Sequence, residues 1–187
     1  MKKVFPKLHT ERLNLIEITQ SHLRDYYEIF KEEKVTKYYN IMPFGQIEDA
    51  RKYIDWFQSR YKEGLGIRWG IQIKGDNRII GTAGFNNFQI NHRSNIGYDL
   101  HCNYWKKGFV TEALSQIVDY GFNEIGVNRI EAEVMQGNVA SERVLQKLGF
   151  CREGILRDWA YWNNKHYDMT MFSLLKKDYQ SLLATGK

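Results

Sequence analysis

Two stretches combine residue types in a pattern that can do chemistry: "YWKKGFVTEAL" (Tyr104–Leu114) and "NVASERVLQKLGF" (Asn138–Phe150). In the first, two lysines and a glycine open a run whose apolar residues, Val110, Ala113, Leu114, Ile117, Val118 and Phe122, recur at helical spacing. An acidic first turn would suit the helix dipole; a basic, glycine-bearing one suits an anion instead. The N–H groups of a helix start lack intrahelical partners, and glycine lets a phosphate approach the backbone closely. A single glycine in this place is more often only a cap. No GK[ST] follows, and a dinucleotide fingerprint needs more glycines. The second stretch begins about thirty residues later, directly after the strand-like "RIEAEV". Asn138 can cap its helix and still present an amide, and Ser141 lies one turn in on roughly the same face. Taken singly, each reads as a cap and a turn residue.

The elements around these stretches alternate in period. "ERLNLIEI" (Glu11–Ile18) alternates as a strand. "TQSHLRDYYEIFKE" follows as a helix capped by Thr19, with Leu23, Tyr26, Tyr27 and Phe30 on one face. "IEDARKYIDWFQSRYKEG" is a second amphipathic helix, Ala50, Tyr53, Ile54 and Phe57 inward, stopped by Gly64. Ile67–Lys74 and Arg78–Phe85 form a hairpin about the Gly75-Asp76-Asn77 turn. Strands are expected at Asn95–His101, Arg129–Val134 and Tyr167–Leu175, and the last four residues, 184–187, are expected to fray. The order predicts a single α/β (α+β) domain over residues 1–187, a mixed sheet covered by helices.

The 187 residues can bury a sizeable core. With 27 Lys plus Arg against 22 Asp plus Glu, the net charge is +5, an excess that suits any anionic ligand but is more often plain surface. No basic stretch reads as a nucleic-acid recognition helix. Cys102 and Cys151 make no disulfide framework, and no Cys/His cluster suggests zinc, so both read as free thiols in a reducing compartment and no metal is expected. No apolar run approaches a membrane span, and the two lysines at the N-terminus precede no apolar signal region. The expectation is a cytoplasmic protein.

Together the segments resemble the GNAT superfamily of acetyl-CoA-dependent N-acetyltransferases, and within it the RimJ/RimL branch, which acetylates protein N-terminal amines. "LHTERLNLIEI" is similar to that branch's opening, "YWKKGFVTEAL" to its "YWGKGYATEAL", and "NVASERVLQKLGF" to its "N-x-x-S-x-x-V-L-x-K-L-G-F". "IIGTAGF", "IGYDL", "EGILRD" and "YDMTMFSLL" extend the likeness over nearly the whole chain. The resemblance implies the GNAT fold, a mostly antiparallel sheet flanked by helices with a β–α unit for pyrophosphate, and acetyl-CoA as cosubstrate. It places a cofactor loop on Trp105, Lys106, Lys107, Gly108, Phe109, Val110 and Thr111, with amides of Lys107, Gly108, Val110 and Thr111 as donors. Lys106 stands where glycine is common, and Val110 where glycine or alanine is usual. The cofactor arm would run along Leu100 and His101, bond to Asn138, and bring its thioester near Ser141.

The resemblance further implies direct attack of an amine in a ternary complex. An oxyanion donor is expected from a backbone N–H near Leu100, and a partner for the thiolate from Ser141, because the tyrosine many members carry is Leu145 here. The base is open. The usual glutamate on the central strand is Asn95, and the glutamate some relatives place later is Ala160. Asp158, two residues away and on the same face of a regular strand, is the candidate taken forward. Tyr98, Asp99, Glu133 or a water chain are alternatives. The acceptor is expected to be a protein or peptide N-terminus, with the two N-terminal helices, the Phe85–Arg93 loop and the hairpin "DWAYWNNKHYD" building its side. A small amine (polyamine, amino acid or drug) and a non-catalytic acyl-CoA sensor, which the losses at Asn95 and Leu145 favour, are the competing readings. A homodimer is common in the branch.

Overall fold

The structure, a computed structural model, describes residues 4–185. Strands β1 (Leu8–His9) and β2 (Leu13–Glu17) come first. A 3-10 turn at Gln20–His22 leads into α1 (Leu23–Phe30), followed by α2 (Glu33–Thr36) and α3 (Ile47–Lys62). Then β3 (Ile67–Ile73), β4 (Ile79–Phe88) and β5 (Arg93–Leu100) run as a meander. Helix α4 (Phe109–Tyr120) continues through a π-turn at Gly121–Ile125 into β6 (Arg129–Met135) and α5 (Val139–Lys147). The hairpin β7 (Cys151–Trp162) and β8 (Lys165–Leu175) precedes α6 (Lys176–Ala184).

The strands form one eight-stranded sheet, ordered β1-β2-β3-β4-β5-β6-β8-β7. All neighbours are antiparallel except β5 and β6. The expected mixed, mostly antiparallel sheet is therefore present. Period-2 alternation sends Leu13 and Leu15 to one face of β2 and Ile16 and Ile18 to the other. The first face joins the larger core, with Trp69, Phe85, Leu114, Ile117, Phe122 and Phe172. The second joins a smaller core of Tyr26, Phe30, Phe44, Ile54 and Phe57 beneath α1 and α3.

Thr19 caps the first helical segment as expected, in a reciprocal capping box with His22. That segment is broken, however, and Ile29 rather than Tyr27 is its fully buried third residue. Two elements had no legible signal, and a third, β7, was legible only at its end, in the expected hairpin "DWAYWNNKHYD". Helix α2 is one turn, too short for a period to emerge. Helix α6 buries no residue fully and docks through Tyr179, stacked on Phe122 at 5.1 Å and donating to Asp119 (2.8 Å). Strand β7 is an edge strand with two register shifts, so no alternation survives. Of the expected frayed end, Ala184 closes α6, while 186–187, like 1–3 at the other end, lie outside the described residues.

The sheet's centre holds a buried ion pair. Arg68 on β3 meets Asp99 on β5 at 2.8 Å, both side chains nearly or wholly out of solvent. Thr82 on β4 lies between them, accepting from Arg68 Nε (2.8 Å) and donating both its amide (2.9 Å) and its hydroxyl to Asp99. Burial pushes the Asp99 carboxyl up, against the pull of Arg68 and Thr82; burial also works against the Arg68 cation, which Asp99 holds above its ordinary value. Gly97 leaves room for this arrangement, since a Cβ there would lie 3.0 Å from Arg68 Nη1 and 3.1 Å from Asn86 Nδ2. Removing one partner of such a pair strands the other charge. Asp99→Ala should destabilise the fold by about 3–5 kcal/mol, read from urea denaturation; a loss below about 1 kcal/mol would mean that Arg68 finds water instead.

Candidate active site

The site forms where β5 parts from β6. The two strands pair only at Arg93, Ser94 and Asn95, opposite Arg129, Ile130 and Glu131. From Ile96 to Leu100, β5 pairs with β4 alone. His101 N–H donates to Ile80 O (2.9 Å) on the β4 side. Alternation therefore turns the backbone groups of Tyr98 and Leu100 to the opening. Their carbonyls already have donors: the Tyr39 hydroxyl bonds Tyr98 O, and the Trp105 indole N–H bonds Leu100 O at 2.7 Å. An extended ligand added to this edge would meet N–H groups beside carbonyls with one lone pair already engaged. His101 offers no amide there. Its Nδ1 accepts from Asn103 N (3.2 Å), shaping the turn Cys102–Tyr104 that follows.

That turn delivers the chain to α4. Gly108 is the N-cap in the left-handed region, φ 80°. Lys106 is left-handed too, φ 61°, which costs a non-glycine residue about 1 kcal/mol and suits the glycine that the resemblance puts there. Glu112 N–H is the first in α4 to bond back, to Gly108 O at 3.0 Å, so the amides of Phe109, Val110 and Thr111 face out of the helix start. An open hollow of about 660 Å³ adjoins it, lined by Thr10, Gly108, Thr111, Ser115 and Lys147 among others.

A clamp that the sequence reading missed holds this loop. Arg12 donates from Nη1 to Lys107 O (3.0 Å) and from Nε to Glu112 (2.6 Å), and lies 4.7 Å from the Phe109 ring centroid. The Arg12 amide (2.8 Å) and the Thr10 hydroxyl (2.5 Å) also bond Glu112. Both partners stood inside quoted motifs, "HTERL" and "TEAL"; their separation by a hundred residues hid the link. Burial alone would raise Glu112, but the bonds from Thr10 and Arg12 outweigh it and hold the carboxyl below its ordinary 4.5.

Across the opening, Asn138 caps α5 by accepting Ser141 N–H at 3.2 Å, which leaves its amide NH2 available. Ser141 Oγ lies 2.6 Å from the Tyr98 hydroxyl, so the structure brings Ser141 to β5, the strand expected to carry the cofactor arm. A second chain of bonds reaches the same region: Arg68 donates to Asn86 (3.4 Å), Asn86 to Asn95 (2.8 Å), and Asn95 to Glu133 on β6 (3.4 Å). Asp158 stands apart, on β7 at the far side of β8, roughly 10 Å in strand spacings from the β6 column. It sits in the bulge between Leu156 and Ala160 with φ 50°, its amide bonding Asp168 at 2.9 Å. The expected alternation with Ala160 does not hold through that bulge. Among the described residues its carboxylate has no hydrogen bond to Ser141 or Tyr98, and there is no cluster that could hold a metal. Cys102 and Cys151 are unpaired.

A glycine-led helix start beside a strand that leaves its neighbour is the arrangement of an acyltransferase of the GNAT class. The family profile described as "Acetyltransferase (GNAT) domain" matches residues 12–151, and the chain belongs to that family. It is 40% identical over 174 residues to the uncharacterised N-acetyltransferase YoaA of Bacillus subtilis, covering 92% of this chain and 98% of that protein. It is 28% identical over 121 residues to the [ribosomal protein uS5]-alanine N-acetyltransferase of Escherichia coli, covering 64% and 62%. RimL, a ribosomal L7/L12 α-N-protein acetyltransferase solved with coenzyme A, shares the fold with a TM-score of 0.81 at 19% identity, covering 91% and 98%. The protein is an N-acetyltransferase of the RimJ/RimL-like kind.

The clamp on the loop is testable. A carboxyl with a depressed folded pKa stabilises above its unfolded value, and the gain is lost as pH falls through the folded one. Glu112→Ala should weaken coenzyme A binding about tenfold at pH 7 by titration calorimetry. Its melting-temperature deficit should narrow as the pH is taken below 4.5, the ordinary value from which Glu112 is lowered.

Proposed function

We propose that this protein moves the acetyl group of acetyl-CoA to the N-terminal α-amine of a protein, both substrates being bound at once. One observation carries the reading: an open strand edge, a glycine-led helix start and a serine hydroxyl converge where β5 leaves β6. Amides of Lys107, Gly108, Val110 and Thr111 would take the pyrophosphate, in a loop shaped by Trp105, Lys106 and Phe109. Leu100 would take the cofactor arm with His101 beside it, and the Asn138 amide would bond the arm from α5.

The amine nitrogen bonds to the thioester carbonyl carbon, the carbon–sulfur bond breaks, the amine gives up a proton, and the sulfur leaves as a thiolate. Backbone N–H near Leu100 would face the developing oxyanion. The Ser141 hydroxyl would hydrogen-bond or protonate the sulfur. An α-amine titrates near 8, so its deprotonation asks little of the base. Two carboxylates stand for that role. Glu133 is tied through Asn95 to the strand beside the opening, and Asp158 belongs to the hairpin whose tip meets Met42 through Asn163. Exposed Met42, Trp159 and Tyr161 give that side an apolar rim fitted to a peptide end. The activity of the uS5-alanine relative supports a protein acceptor.

Acetyl transfer would be followed by mass spectrometry with two acceptor pools, peptides with free Ser, Thr or Ala N-termini and small polyamines with other amino compounds. Product on the peptide α-amine is expected; product in the small-molecule pool alone would replace the reading with a small-amine transferase. Coenzyme A binding without product in either pool would favour a sensor. The base is assigned by Glu133→Gln and Asp158→Asn. A general base contributes about 10²–10⁴ in kcat, so the variant that loses on that scale marks it. Two active variants would leave the proton to water.

A further inference from the structure

We propose that Tyr98 is a positioning residue for the departing thiolate: it holds the Ser141 hydroxyl so that the serine proton points into the opening. The inference rests on the role of Ser141 given above. Tyr98 is fixed at both ends. Its carbonyl accepts from the Tyr39 hydroxyl, and its ring packs against the larger core. Its hydroxyl crosses from β5 to α5 and stops 2.6 Å from Ser141 Oγ and 3.3 Å from Ser141 O. On the other side, Ser141 is fixed by its own amide, which bonds Asn138.

A serine hydroxyl has one proton and two lone pairs. The 2.6 Å contact admits either oxygen as donor. Burial pushes the Tyr98 phenol up to about 12, so it keeps its proton at neutral pH and can donate. When it donates to Oγ, the serine proton must go elsewhere, and the open direction is the cleft. As the carbon–sulfur bond breaks and the sulfur draws the serine proton, Oγ gains negative charge and accepts more strongly from the phenol. The bond is thus strongest where catalysis needs it. Leu145, fully buried in the core one turn along α5, supplies no donor, and Tyr98 reaches the serine from β5.

The test compares Tyr98→Phe, Ser141→Ala and the double variant, with kcat and KM for acetyl-CoA, calorimetric coenzyme A affinity and melting temperature for each. Tyr98→Phe should lower kcat about tenfold with KM and affinity unchanged. In the Ser141→Ala background, the same change should alter kcat less than about twofold, because it acts through the serine. Equal losses in both backgrounds would overturn the inference, as they would show a merely structural or independent role. An unchanged kcat for Tyr98→Phe while Ser141→Ala is slow would overturn it and leave the Ser141 reading standing. An unchanged kcat for Ser141→Ala would remove that reading, and the inference with it.

Discussion

The parting of β5 from β6 is the constraint from which the site follows. Backbone polar groups must be satisfied, and an unpaired strand edge inside a sheet is tolerated only when something holds it open. Here β5 is fastened to its other neighbours. Asp99 is bound to Arg68 on β3 and Thr82 on β4, so β5 follows β4 after Asn95 rather than bending with β6. The carbonyls on the open side are not left bare, since Tyr39 and Trp105 donate to them. The opening is therefore a built gap with selected donors exposed.

Charge is arranged around that gap in two senses. At the loop end, Lys106, Lys107 and the α4 start favour an anion, while the Arg12 charge is paired with Glu112. At the β6 end, the amides of Asn86 and Asn95 are oriented head to tail, each donating toward Glu133, and each bond polarises the next. The two ends of the opening thereby differ in the charge they favour, as the proposed donor and acceptor require. Asn95 passes that polarity to a carboxylate on the next strand.

Much of this was legible in local pattern. The β3–β4 hairpin, the long helix after Gly108, the Asn138 cap and the Gly75 turn all announce themselves through periodicity or turn chemistry, and the structure has each. What escaped has physical causes. Helix α6 has no fully buried residue to set a period, and Tyr179 and Leu182 dock it on the core. The β7 bulge destroys the alternation on which placing Asp158 depended. Tyr98 and Ser141 are 43 residues apart, and no local rule says that a strand tyrosine will cross to a helix serine. Nothing local marks Arg68 for burial, which is a property of the assembled sheet.

The Thr10–Arg12 clamp on Glu112 also bears on how the chain is made. Its partners are separated by 102 and 100 residues, so the segment that steadies the loop is synthesised long before the loop exists. At ribosomal rates of 5–20 residues per second, that is a delay of about 5–20 s. In that interval β1 and β2 can pair with each other and then with β3, but the residues fated for Glu112 stay unpartnered. The helix start at Gly108 therefore cannot be clamped until Glu112 has followed it, and a nascent chain without α4 would have β1, β2 and β3 available to pair but nothing for Thr10 and Arg12 to hold.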